Sequence, residues 1–124
     1  MDYLTIALQL IVGLSILNVW LVNANKSTQW RGGSATNIKE EFEAYGLPGW
    51  SCYLIGFLKV ALALALIAAI WFPKLLQPAA IGLGFLLTGS ILMHFKINDP
   101  IKKSFPAFLF LCMCGYLAFL SQYF

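Results

Sequence analysis

A chain of 124 residues that is 60% hydrophobic and only 10% charged lacks the polar surface that a water-soluble particle needs, because soluble domains carry about 25% charged residues. That composition excludes an ordinary soluble domain and points to lipid as the solvent. The net charge of +3 is too small and too dispersed to suit a nucleic-acid partner.

A bilayer core of roughly 30 Å takes about 20 apolar residues per helix, and four stretches reach that length: 3–22, 50–72, 77–95 and 105–124. The first is too long and too evenly apolar for a signal-peptide core, lacks a basic start and a small-residue cleavage site, and reads as a permanent span. The expected fold is therefore an all-α membrane protein, a single four-transmembrane-helix bundle with a short amphipathic helix in its first loop. Lys26, Arg31, Lys39, Lys96, Lys102 and Lys103 fall in loops one and three, against Lys74 alone on the other side. The positive-inside rule puts loops one and three in the cytoplasm.

After span one, "NANKSTQWRGGS" is rich in turn formers and reads as irregular. "NIKEEFEAYGLPGW" reads as a short helix, with Asn37 as N-cap, Glu40 closing a capping box, and Gly46 and Pro48 as the stop. Ile38, Phe42 and Tyr45 make one apolar stripe, so this helix lies on the membrane surface or caps the bundle. Ala61, Ala65 and Ala69 in span two, and Ala80, Gly84 and Thr88 in span three, repeat every four residues and suit close helix packing in lipid, within the chain or between copies.

Lys59 lies nine residues in from Trp50, roughly 14 Å along span two. Charge at that depth is costly and rarely faces lipid, so Lys59 is expected to face the bundle interior or a partner subunit. There it needs Glu43, Asp99 or a bound anion as counter-charge. His94 ends span three, with Lys96 and Asp99 just beyond, and Asn18 and Asn23 end span one. Nearly all polar groups in the membrane thus gather in the half facing loops one and three, where a small-molecule cavity between helices would form. The candidate ligand-binding set is Lys59, His94, Asn18, Glu43 and Asp99, and His94 suits proton transfer near neutral pH. Lys96, Lys102 and Lys103 suit anionic headgroups. No metal site is expected: His94 stands alone, Cys112 and Cys114 point to opposite sides of a helix, and Cys52 has no ligand spacing to either, so the three read as buried small hydrophobes. Nothing matches a nucleotide loop, a catalytic triad or a haem ligand pair.

The segments "EEFEAYGLP", "IGFLKVALALALI" and "HFKINDPIKKSFPAFLFL" resemble the DoxX-like family of small four-span membrane proteins. The likeness runs from about Asn37 to Leu120, and span one agrees in length only. Its more specific parts are the Gly-Leu-Pro before span two, Lys59, and the stretch from His94 to Pro100. The resemblance implies a four-helix bundle and two kinds of role. One is a subunit of a membrane oxidoreductase system, such as thiosulfate:quinone oxidoreductase, binding a quinone-like, lipid-phase molecule. The other is an assembly factor or scaffold without catalysis. A bound quinone or lipid would be the only cofactor, and membrane lipids, a second copy or a partner membrane protein the expected partners.

Overall fold

Each long apolar segment buries one narrow stripe and leaves the rest of its surface outward, as lipid solvation allows. The structure is a computed structural model that describes residues 3–22 and 37–120. Asn23, Lys26, Arg31, the 23–34 stretch and the end of span four lie outside the described residues. Helix α1 (Tyr3–Leu17) runs into a π-helical turn (Asn18–Val22). The short α2 (Ile38–Ala44) precedes α3 (Gly49–Ala68), α4 (Leu76–Lys96) and α5 (Phe105–Gly115), and α5 ends in a second π-helical turn (Tyr116–Leu120). Four stretches are long and apolar enough to cross a bilayer: Tyr3–Leu21, Trp50–Ala68, Pro73–Lys96 and Ile101–Phe119. The fold is the all-α four-span bundle, without strands among the described residues.

Helix α3 packs between α1 and α4, α4 lies along α5, and α5 returns to touch α1. The buried stripe of α3 runs through Cys52, Gly56, Lys59, Ala63 and Leu66. Its alternating steps of four and three residues are the period of helices that pack at a shallow angle. Lys59 is therefore on the inner face. The alanine ladder is not: Ala61 is exposed and only Ala69 is buried, while in α4 Ala80 is buried and Thr88 exposed. Small residues do permit close approach, but at another pair. A Cβ added to Gly13 would lie 2.6 Å from the Ile67 side chain and 3.3 Å from the Ala63 carbonyl oxygen, so α1 meets α3 nearly backbone to backbone.

The half of the bundle away from α2 contains Val12, Ala63, Leu66, Leu83 and Leu117, all without exposure. Gln9 lies among them, also 0% exposed. At the end of α3 the Ile70 N–H turns to the Ile67 carbonyl rather than that of Leu66, and Gln9 Nε2 donates to the freed Leu66 carbonyl at 2.9 Å. A released carbonyl has no water to turn to in lipid, so the amide caps the helix from a neighbouring span. This buried polar group lies opposite to the half in which the sequence pattern gathers them. The cysteines also need a correction: Cys52 and Cys114 are buried, but Cys112 is exposed. Two positions about 200° apart on α5 cannot both face the core.

Candidate functional site

Two helix ends meet at the loop-one and loop-three end of the bundle, and both are shaped by a residue that tolerates positive φ. At the end of α2, Gly46 has φ of 79°, its N–H bonds the Glu43 carbonyl and the Leu47 N–H reaches back to Phe42. At the end of α4, Asn98 has φ of 58°, its N–H bonds the Phe95 carbonyl and the Asp99 N–H reaches back to His94. Both are Schellman motifs. In the second, the contact between the residues closing the motif is polar: Asp99 Oδ2 lies 2.8 Å from His94 Nδ1. The turn that stops α4 therefore also delivers a carboxylate to the imidazole.

The start of α2 is fixed by Asn37, whose side-chain oxygen accepts from the Glu40 N–H at 2.8 Å. Ile38, Phe42 and Tyr45 are all buried, as the apolar stripe requires. Ile38 and Phe42 form a small cluster with Cys52 of α3, separate from the main core but joined to it through Trp20. Trp20 meets Phe42 edge-on, with ring centroids 6.0 Å apart. The Tyr45 ring stands edge-on to His94 at 5.7 Å, and Lys96 Nζ donates to the Tyr45 carbonyl at 2.9 Å.

These contacts assemble a buried polar chain. The Tyr45 hydroxyl donates to Glu41 Oε1 and lies 3.4 Å from His94 Nε2. Glu41 Oε1 is itself 4.0 Å from that nitrogen. At the far end Lys103 Nζ lies 3.8 Å from Asp99 Oδ1. The chain thus reads Glu41, Tyr45, His94, Asp99, with Glu41 the most accessible of the Glu41–His94–Asp99 charged pairs, its side chain 14% exposed. Deeper in the bilayer, buried Lys59 donates to Ser90 Oγ at 3.1 Å, and its ammonium lies 5.6 Å from the centroid of the Trp20 ring, within cation–π range.

Of the residues singled out from sequence, the structure brings Lys59, His94 and Asp99 to one end of the bundle. Asn18 and Glu43 are exposed and stand outside the cluster. Glu41, not Glu43, is the carboxylate turned inward. The signal was available, because Glu41 is four residues before Tyr45 and shares its face. Ser90 and Trp20 had no such signal, since only tertiary packing sets them beside Lys59.

A cavity of about 420 Å³ lies beside this cluster, lined by Trp20, Leu21, Ile38, Lys39, Cys52, Tyr53, Gly56, Phe57 and Val60. Exposed Tyr53 and Phe57 open it toward the bilayer. Trp20 is its shared wall: the indole lines the cavity and also carries the Lys59 ammonium. Gly56 leaves room for it, since a Cβ there would lie 2.7 Å from the indole. Among the described residues no group of three or more His, Cys, Asp or Glu side chains could hold a metal ion.

The model of the DoxX-like family matches residues 31–116. The chain belongs to the DoxX-like family. The matched span holds Glu41, Tyr45, Lys59, His94 and Asp99, whereas Trp20 and the whole of α1 precede it. With its four apolar helices, this DoxX-like protein is an integral, multi-pass membrane protein. No curated protein and no solved structure matches the chain.

Proposed function

We propose that this DoxX-like protein binds a lipid-phase small molecule with carbonyl or anionic oxygens, quinone-like in chemistry, as a subunit associated with a membrane redox system. The observation that supports this reading most is the placement of buried Lys59 against Trp20, the wall of a cavity open to the bilayer. An apolar body would lie in that cavity, and displacement of the indole would let an oxygen reach the ammonium. Reducing a quinone to a quinol takes two electrons and two protons. The electrons would come from a partner oxidoreductase and the protons through His94. The bias of Lys and Arg supports loops one and three as the cytoplasmic side, where such protons would enter.

The test is native mass spectrometry of the protein extracted gently from its own membrane, beside Lys59→Met. The expected result is a retained molecule of quinone or isoprenoid mass on the wild type, lost in the variant while the protein stays inserted and folded. A bare wild-type protein would overturn the reading. One specific observation favours a scaffold or assembly factor instead, the exposed Ala61 on α3, a small residue outward where a partner helix could approach closely. Release only with a second polypeptide, and its loss in Ala61→Leu, would decide for that alternative.

A further inference from the structure

The cavity beside Trp20 is graded along its length. Ile38 of α2 packs on Cys52, so the outer end lies at the first turn of span two, level with exposed Trp50 and Tyr53. Aromatic residues of that kind collect where a span meets the membrane surface. From Cys52 to Val60 the α3 lining runs inward for eight positions, about 12 Å at 1.5 Å per residue. One leaflet's share of a hydrocarbon core of roughly 30 Å is about 15 Å, so the cavity reaches most of the way from interface to midplane. Gly56, Phe57 and Val60 line the inner part and offer no hydrogen-bonding side chain. The charged lining residue, Lys39, comes from the α2 end, its stem on the cavity wall and its ammonium free to reach the surface. A charge at the rim and apolar depth behind it match a lipid, with the length of one acyl chain.

The charges on α2 indicate which head that lipid carries. Lys39 and Glu43 are four residues apart and neighbours on one helix face, their Cβ atoms roughly 5–6 Å apart. Both are exposed, and neither makes a hydrogen bond or ion pair among the described residues. Glu40, next to Lys39 in sequence, lies about 100° around the helix, and Glu41 is turned inward to the Tyr45 hydroxyl. The rim thus offers a cation and an anion side by side. We propose that this cavity is the binding site of a phospholipid with a zwitterionic, ammonium-bearing head of the phosphatidylethanolamine class. Its phosphate lies on Lys39, its ammonium on Glu43, and one acyl chain runs inward between Trp20 and Phe57. Both head contacts are charge-assisted. The second chain stays in the bilayer, past exposed Tyr53 and Phe57. An anionic lipid would satisfy Lys39 but bring no cation to Glu43. The site is complete with the Trp20 indole in place, so it stands whether or not Lys59 receives a ligand oxygen.

The test uses the full chain in detergent, stripped of lipid and offered equal amounts of phosphatidylethanolamine and phosphatidylglycerol with matched acyl chains. Native mass spectrometry reads what is retained. The wild type should hold one phosphatidylethanolamine, several-fold in preference to phosphatidylglycerol. Lys39→Ser should lower retention of either lipid about tenfold, the scale of one hydrogen bond to a charged group. Glu43→Gln should still hold a lipid but lose the preference. Val60→Trp fills the inner end and leaves both charges, so it should displace the lipid while the helical circular dichroism stays unchanged. Phosphatidylglycerol held as well as phosphatidylethanolamine by the wild type overturns the proposal, and so does retention that ignores Lys39→Ser or Val60→Trp. The wild-type competition needs no variant, so a misfolded variant cannot conceal a failure. Lys59→Met should keep its phospholipid. Absence of a quinone-like mass would therefore remove the earlier reading and leave this one standing.

Discussion

The two ends of this bundle admit polar groups on different terms. At the end away from α2, Gln9 is wholly buried and serves one freed carbonyl of α3, while close packing around Gly13 and Leu66 does the rest. At the other end, polar side chains serve one another: Asp99, His94, Tyr45 and Glu41 in a row, and Lys59 on Ser90 and Trp20. The first sets one side-chain amide against one backbone carbonyl. The second joins side chains from several helices, which is how a site between helices is built.

The strongest way to break this contrast is to strain the packed end. Gly13→Leu would push a side chain into Ile67 and the Ala63 carbonyl, and should cost about 3 kcal/mol, at the upper end for overpacking. A thermal melt in detergent that shifts only slightly would mean that the α1–α3 seam yields and is not the rigid part. Gln9→Leu is milder. It leaves the Leu66 carbonyl without its donor but also removes an amide oxygen that has no partner among the described residues, so the loss should be about 1 kcal/mol. Melting would read it, with no effect on amide hydrogen exchange in α2. Gly46→Ala should act least on the whole and only at the other end. Its φ of 79° disfavours a Cβ by about 1 kcal/mol, which should lower α2 protection several-fold and leave the bundle's melting temperature in place. A fall in that temperature as large as that of Gln9→Leu would show that α2 belongs to the core rather than resting on it.

The spans, the short helix and both of its ends were legible in the sequence, because each rests on local chemistry. Asn37 caps, Gly46 stops, and apolar length reports lipid. Asn98, Asp99 and Pro100 carry a similar local signal, and the Schellman turn they form brings Asp99 to His94. Lys59 was legible as a residue that lipid would not accept, but its neighbours were not. The alanine ladder misled for a related reason: four-residue spacing marks a face that can approach a neighbour, not the face that does. Helix α3 turned its Lys59 stripe inward, leaving Ala61 in lipid.

By itself the sequence determined that this chain lives in a bilayer, crosses it four times and sets a capped surface helix before the second span, since these follow from composition and from residues within a turn or two of each other. Tertiary structure alone decided that Ser90 receives the Lys59 ammonium, that Trp20 stands between the cavity and Lys59, and that Gln9 closes α3. Each of those contacts joins residues from separate helices, and rotation of one helix by a third of a turn would exchange every partner without altering a single local preference.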